Sequence, residues 1–262
     1  MGRADPVVRT ELRGEVLWLV LDRPEVGNAL DPSLVEGVKS ALARAAGDDA
    51  VRTIVLTGAG KHFSAGADLN YMKSMRGASP EENEADARRT QAVFAAVAAS
   101  PKPVVARVQG AARGGGVGLL AAADVVVASS TATFVFTEVR LGIVPAIIAP
   151  FVVARTGTAL ARRLFLTAES FTAAQAVDFG LVDHAVAPEV LDATVERVTD
   201  ELRRGGPQAL REVKRLLADL AGTTPDEAAA ITASRIAALR ASEEGQEGMS
   251  AFLEKRLPCW VR

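Results

Sequence analysis

The sequence KPVVARVQGAARGGGVGL (residues 102–119) joins an apolar run to a glycine-rich turn and then to a second apolar run. The run 103–108 is typical of a buried strand, and residues 116–122 of a short buried helix. Glycine loses more backbone entropy on folding than other residues, so three in succession indicate close approach to a ligand or tight packing. The stretch therefore predicts a strand, a loop that offers backbone N–H groups, and a helix.

The same alternation of strand and helix is predicted on both sides of this stretch. Asp31 and Ser79 are predicted N-caps of helices that end near Gly47 and Ser100, and Thr172 and Gly180 bound a third helix. Further predicted strands are residues 15–21, 52–57, 124–128 and 181–186. The pattern predicts an α/β core over residues 1–187 and a C-terminal helical region over residues 188–262.

Composition excludes several classes of function. The 262 residues carry a net charge of -2 with both signs interspersed, whereas a protein that binds nucleic acid or an anionic membrane usually has a basic face. No apolar run is long enough to span a membrane, and the first ten residues lack the apolar core of a targeting segment. Because Cys259 is the only cysteine, we expect no disulfide framework and a cytoplasmic location.

A second loop of small residues, TGAGKHFSAGADL (residues 57–69), also lies between a predicted strand and a predicted helix. Two loops that offer backbone N–H groups in one domain suggest a shared oxyanion site, although such a loop is also a common turn. Neither loop fits a nucleotide motif: Leu119 replaces the last glycine of G-x-G-x-x-G, and the sequence after Lys61 departs from the Walker A pattern.

Glu138 is the third candidate, in the apolar segment FTEVRLGIVP (residues 136–145). Burial there would disfavour the charged carboxylate and suit general acid-base chemistry, although an ion pair with Arg140 is an alternative. His62 and His184 lack metal-ligand spacing, and Ser64 lacks a G-x-S-x-G context. We therefore expect neither a metal site nor a serine hydrolase.

Four segments in this order resemble the crotonase superfamily: DRPEVGNAL, LTGAGKHFSAGADL, KPVVARVQGAARGGGVGL and ATFVFTEVRLGIVP. The resemblance implies a crotonase-like spiral of repeated ββα units and a C-terminal helical trimerisation region, in a homotrimer or a dimer of trimers. Within the superfamily, the local sequence of these segments is most similar to the methylglutaconyl-CoA hydratase-type branch. It implies an acyl-CoA substrate and no separate cofactor, since coenzyme A is part of the substrate.

The resemblance also implies the roles of individual residues. The N–H groups of Ala67 and Gly115 would form the oxyanion hole for the thioester oxygen, and Glu138 would be the catalytic acid or base. The residues implied in substrate or CoA binding are Arg23, Glu25, Val26, Ala65, Gly66, Asp68, Leu69, Gly114, Gly118 and Pro145. Gly118 stands where hydratases of the superfamily usually carry a first glutamate, so only one of the two usual carboxyl groups is present.

These features favour an enoyl-CoA hydratase of fatty acid metabolism, a lyase, that adds water with Glu138 as acid or base. One alternative is an enoyl-CoA isomerase that uses Glu138 as a single proton shuttle, and another is a non-catalytic acyl-CoA-binding scaffold. The branch resemblance suggests a branched or carboxylated substrate such as 3-methylglutaconyl-CoA. Arg113, beside the triple glycine, is then a hypothetical partner for the substrate's own carboxylate.

Overall fold

Parallel strands with continuous apolar runs form the centre of the larger sheet. The computed structural model describes residues 7–261, so the expectation about a targeting segment lies largely outside it. The six strands of the large sheet are β1 (Val8–Arg13), β2 (Val16–Leu21), β3 (Thr53–Gly58), β4 (Val104–Val108), β6 (Val125–Ser129) and β9 (His184–Val186). They lie in the order β1-β2-β3-β4-β6-β9, and only the β1–β2 pair is antiparallel.

A second, smaller sheet contains the second strand of each ββα unit. It contains β5 (Ala112–Arg113), β7 (Thr133–Val135) and β8 (Phe171–Thr172) in the order β5-β7-β8. Strand β4 is followed by β5 and then by a helix, and β6 is followed by β7 and then by a helix. Each such unit therefore places one strand in each sheet before its helix.

Helices cover both faces of the large sheet. The helices are α1 (Pro32–Ala46), α2 (Leu69–Ser74), α3 (Pro80–Ala98), α4 (Gly115–Ala122), α5 (Ala149–Thr167), α6 (Ala173–Asp178), α7 (Leu191–Arg204), α8 (Pro207–Asp219), α9 (Pro225–Ala241) and α10 (Glu243–Leu253). Helices α1, α3 and α4 bury the larger core on one face. Helix α7 packs on the opposite face, where Val195 and Leu191 meet Trp18 and Val105. Apolar cover on both faces explains why every residue of β3 is buried.

The predicted helix caps are present where the sequence places them. Asp31 accepts a hydrogen bond from the Leu34 N–H, and Ser79 and Thr172 each form a complete capping box. An oxygen acceptor at the N-cap satisfies an N–H group that the first helical turn leaves without a partner. These contacts fix where α1, α3 and α6 begin.

The structure corrects the sequence interpretation at two places, β1 and the last predicted strand. Strand β1 was not predicted because five of its six residues are exposed, so its sequence has no apolar face. The last predicted strand is shorter than residues 181–186 and begins at His184. After residue 187 a short 3-10 helix (Pro188–Val190) leads into α7, which packs directly on the large sheet. The domain boundary at 187–188 stays a prediction. No helix within residues 7–261 is long and apolar enough to cross a membrane.

Candidate active site

The two glycine-rich loops lie against each other at the ends of β3 and β4. A Cβ atom on Gly66 would lie 2.7 Å from the Arg113 carbonyl oxygen, and one on Gly116 would lie 2.7 Å from that of Ser64. Gly66 also has a φ of +89°, in the region that favours glycine. The small residues are therefore required for the two loops to approach each other, which agrees with the prediction of a shared site.

Asn28 holds the first loop in place. Its side-chain amide donates hydrogen bonds to the carbonyls of Ala59 at 2.9 Å and His62 at 2.8 Å. In return, the Ser64 hydroxyl donates to the Asn28 carbonyl at 2.9 Å. The sequence analysis missed this positioning role, although a polar residue in the apolar sequence GNAL was a visible signal.

The N–H groups of Ala67 and Gly115 remain available for a ligand. Among residues 7–261, neither donates a hydrogen bond to another group of the protein. Gly115 is the first residue of α4, where a helix leaves its N–H groups without an intrahelical acceptor. A Cβ atom on Gly66 would lie 3.7 Å from the Gly115 nitrogen, so the two loops bring these donors to the same place. Such a pair of fixed N–H groups can stabilise a developing oxyanion.

Glu138 lies beside the second loop. Its Oε1 atom would be 3.0 Å from a Cβ atom on Gly114, which has a φ of +45°. Its Oε2 atom is buried and has no hydrogen-bond partner within the described residues. Burial raises the pKa of the Glu138 carboxyl, although the polar backbone of Glu138 and Thr137 offsets part of that shift. A carboxyl group with these properties can exchange a proton with a substrate.

The ion pair between Glu138 and Arg140, which was the alternative interpretation, is absent from the described residues. The Arg140 guanidinium instead donates to the Ala168 carbonyl at 2.8 Å. Glu138 begins a short 3-10 helix (Glu138–Leu141) that Gly142 ends with a φ of +74°. The carboxyl group is therefore positioned by backbone and by its neighbour's contact, without an ion pair of its own.

One cavity of about 420 Å³ joins these groups. This volume is within the range of small-molecule sites. Its lining includes Ala67, Gly115, Glu138 and Pro145 from the predicted site. The other lining residues are Leu30, Asp31, Val35, Tyr71, Met72, Met75, Arg76, Asn83, Asp86, Ala87, Thr90, Phe94, Ile143, Val144, Ile147 and Ile148. The site is thus a mostly apolar chamber in whose wall the Glu138 carboxyl and the two backbone donors lie together.

The family model described as enoyl-CoA hydratase/isomerase matches residues 11–262. This chain belongs to that family. The crotonyl-CoA hydratase of Syntrophomonas wolfei is 35% identical, with 91% of each chain covered. The 2,3-dehydroadipyl-CoA hydratase of Escherichia coli is 34% identical over 93% of this chain and 94% of the relative. The predicted crotonase superfamily is therefore confirmed, whereas the methylglutaconyl-CoA hydratase-type branch stays a prediction.

Solved structures of the same family confirm the predicted fold class. AtuE of Pseudomonas aeruginosa superposes with a TM-score of 0.94 at 36% identity, covering 98% of this chain and all of that one. An enoyl-CoA hydratase of Shewanella pealeana superposes with a TM-score of 0.93 at 38% identity, covering 97% and 96% of the two chains. The crotonase-like α/β fold with a C-terminal helical region therefore describes this chain.

Gly118, at the position of the family's usual first glutamate, requires a correction. We predicted it to contact substrate, but it is buried inside α4 and does not line the cavity. A Cβ atom there would lie 2.2 Å from Cγ2 of Ile148 and 3.0 Å from Cε1 of Phe94. Ile148 thus occupies the space that a side chain at position 118 would need. Gly118 is a packing residue, and Ile148 and Phe94, which both line the cavity, separate it from the cavity space.

Arg23 and Asp68, two of the predicted CoA-binding residues, are bound to each other. The Arg23 guanidinium donates to Asp68 at 2.9 Å and to the Ala29 carbonyl at 2.8 Å. Asp68 also caps α2 through the N–H groups of Asn70 and Tyr71. Burial would raise the pKa of Asp68, but these N–H groups and Arg23 outweigh it and hold the pKa below its ordinary value. Both side chains have a structural role, and their contact with CoA stays a prediction.

The remaining predicted CoA contacts lie at the surface, outside the cavity lining. Glu25, Ala65 and Leu69 are exposed, and Val26 is half-buried in a short 3-10 helix (Pro24–Val26). The Ala65 N–H donates to the Gly27 carbonyl at 2.8 Å, so the two segments are neighbours. These residues therefore remain candidates for a CoA contact outside the chamber.

Arg113, the hypothetical carboxylate partner, is exposed and also does not line the cavity. Arg76, which follows α2, is an arginine that does line the cavity, and the role of Arg113 stays a hypothesis. Sequence reasoning missed Arg76 because the turn after α2 carries no motif. Only packing among α2, α3 and residues 143–148 brings it to the site.

Proposed function

We propose that this chain is an enoyl-CoA hydratase, which adds water across the 2,3 double bond of an enoyl-CoA thioester. The observation that carries the proposal is the position of Glu138 beside the free N–H groups of Ala67 and Gly115 in one apolar cavity. The thioester oxygen would accept from both N–H groups. Enolate charge that develops there is stabilised by dipoles that need no reorganisation, and one such donor is worth about 3 kcal/mol.

In this mechanism a single carboxyl group handles both proton transfers. Glu138 accepts a proton from water while the water oxygen bonds to C3, and the electrons of the double bond move to the thioester as an enolate. The same carboxyl then returns that proton to C2, which restores the thioester and regenerates Glu138. The buried, unpartnered Oε2 atom and the raised pKa of Glu138 support this dual role. The reaction needs no cofactor beyond the CoA of the substrate.

The substrate would be a branched or carboxylated enoyl-CoA such as 3-methylglutaconyl-CoA. The motif resemblance supports this narrower proposal, and so does the name of the 2,3-dehydroadipyl-CoA hydratase relative. Neutral, branched and carboxylated enoyl-CoAs should be compared by the loss of the conjugated enoyl-thioester absorbance. We expect Glu138→Gln to lower kcat by about 10²- to 10⁴-fold. Full activity of that variant would overturn the catalytic assignment.

Isomerisation is the second candidate, because packing around Gly118 leaves no room for a second carboxyl at that position. Incubation in ¹⁸O-labelled water distinguishes the two reactions. A labelled hydroxyacyl product supports hydration, whereas an unlabelled product with a shifted double bond supports isomerisation. Protein that binds CoA esters and turns over no enoyl-CoA would instead be the non-catalytic scaffold.

We also propose the homotrimer, or dimer of trimers, that the resemblance implies. Large apolar side chains near the C-terminus support it: Phe252 is 82% exposed, Leu253 79% and Leu257 72%. Exposed apolar groups at this density are typical of surfaces that another chain covers. Analytical ultracentrifugation should give a trimeric or hexameric mass, and a monomer at micromolar concentration would contradict the proposal.

A further inference from the structure

Two of the three acidic side chains in the wall of the cavity already have cationic partners. Asp31 lies 3.1 Å from the Arg23 guanidinium, and Asp86 lies 3.0 Å from that of Arg89. Asp86 also accepts a hydrogen bond from the Tyr71 hydroxyl. The third, Glu138, has no cationic partner within the described residues and is the carboxyl group already assigned to the proposed proton transfers.

Arg76 differs from these groups. Its side chain lines the cavity and is exposed, and it forms no ion pair and donates no side-chain hydrogen bond within the described residues. The lining it belongs to includes the apolar Met72, Met75 and Val144, and its nearest acidic member in sequence, Asp86, already pairs with Arg89. A guanidinium has five N–H donors in a planar fork that matches a carboxylate. The chamber therefore offers an unused cationic donor.

The position of Arg76 relates it to the acyl group and not to coenzyme A. Arg23, Val26 and Ala65, three of the residues predicted to contact CoA, do not line the cavity. The lining comes mainly from the start of α1, from α2, from α3 and from residues 143–148, and it includes the oxyanion donors Ala67 and Gly115. A thioester held at those two donors would direct its acyl chain into the chamber that Arg76 lines.

We propose that Arg76 is a specificity-determining residue that binds a carboxylate at the far end of the acyl chain. The natural substrate is then an enoyl-CoA derived from a dicarboxylic acid. This inference rests on the proposed acyl-CoA site, and it assigns to Arg76 the role that the sequence suggested for Arg113. An anion at Arg76 could also come from the CoA phosphates, and the test separates these two sources.

Binding of saturated acyl-CoAs tests the inference without any turnover. Adipyl-CoA and hexanoyl-CoA have the same length and the same CoA, and they differ only in the terminal carboxylate. Calorimetry should show that Arg76→Gln weakens adipyl-CoA binding by about tenfold or more and leaves hexanoyl-CoA within about twofold. Shorter and longer dicarboxylic acyl-CoAs, each with a neutral counterpart, cover other chain lengths.

Two further variants serve as controls. Arg76→Lys keeps the charge and should retain part of the preference for the carboxylated ligand. Lys73→Gln removes an exposed positive charge from α2, three residues before Arg76 and outside the cavity lining, and should leave the preference unchanged. Added salt should reduce the preference of the wild type, because exposed charges are screened over about 10 Å at 0.1 M ionic strength.

Two results of these binding measurements would overturn the inference, and a third would separate it from the proposed activity. Equal weakening of both ligands by Arg76→Gln would place the contact at CoA and overturn the inference. Equal affinity of wild-type protein for both members of every pair would overturn it as well. If the preference depends on Arg76 but no enoyl-CoA is hydrated, the inference stands and the proposed hydratase activity fails.

Discussion

A methyl group added at position 118 tests whether Ile148 really closes the space beside α4. Gly118→Ala places a Cβ atom 2.2 Å from Cγ2 of Ile148 and 2.9 Å from its Cβ. Carbon atoms in contact are normally about 3.5 to 4.0 Å apart, so something must move. Alanine gains about 1 kcal/mol of helix propensity over glycine, whereas overpacking a core costs about 1 to 3 kcal/mol. We expect a net loss of about 1 kcal/mol of unfolding free energy.

The identity of the clashing atom makes the prediction specific. Ile148→Ala removes Cγ2, the atom nearest the new methyl, and should lower the unfolding free energy of the wild type by about 2 to 5 kcal/mol. It should lower that of Gly118→Ala protein by less, because the worst clash is then gone and only Ile148 Cβ at 2.9 Å and Phe94 Cε1 at 3.0 Å still crowd the methyl. Ile148→Val keeps Cγ2 and loses only Cδ1, so it does not relieve the clash with the new methyl. The losses of unfolding free energy caused by Ile148→Val and Gly118→Ala should therefore be additive. The coupling energy should therefore be at least about 1 kcal/mol with alanine at 148 and near zero with valine.

Urea unfolding of the four proteins in each double-mutant cycle, followed by circular dichroism, gives these coupling energies. A Gly118→Ala protein as stable as the wild type would refute the packing argument. So would equal coupling for the alanine and valine variants of Ile148. If the argument holds, Gly118→Glu cannot restore the family's usual first glutamate by itself, since a larger side chain would meet the same methyl group.

Three other predictions follow from the site. Gly115→Ala and Gly115→Pro both place a Cβ atom 2.6 Å from Leu30 Cδ1, but only proline removes the N–H, so it should lower kcat by a further 10²- to 10³-fold in the absorbance assay. Glu138→Gln should raise the Tm at neutral pH and match the wild type below pH 4.5, because a carboxyl whose folded pKa is raised loses stability as pH rises through that pKa. Arg23→Met should lower the free energy of unfolding by about 2 kcal/mol at neutral pH. The difference between wild type and variant should shrink below pH 3.8 as Asp68 becomes protonated, and chemical denaturation across pH can measure it.

The parts of the fold that local chemistry specifies could be predicted from the sequence. Asp31 and Ser79 cap α1 and α3 because the N-cap oxygen and the residues after it are contiguous in the chain. Strand β1 could not be predicted in this way, because it pairs along a solvent-exposed edge and its residues are mostly polar. The pairing of β5 with β7 and β8 also joins short segments that carry no pattern of their own.

In the site, too, the local sequence indicates some residues, whereas others are brought there only by tertiary packing. The resemblance to the crotonase superfamily picked out Ala67 and Gly115, the apolar segment around it picked out Glu138, and all three line one cavity. Gly118 was misplaced because its neighbour Ile148 is thirty residues away in sequence, and only packing brings the two together. Arg76 was missed for the same reason, since its relation to Glu138 depends on how α2 and α3 enclose the chamber.

The location of Arg140 explains how the site can rely on one carboxyl group. An arginine two residues from Glu138 would hold that carboxyl as a carboxylate if the two side chains paired, and a paired carboxylate is a poor proton carrier. Here the Arg140 guanidinium is bound to the Ala168 carbonyl, next to the end of α5. The same contact anchors the 3-10 turn that presents Glu138 to the cavity. Arg140 therefore both positions the carboxyl and leaves it unpaired, so that its protonation responds to burial and to the substrate.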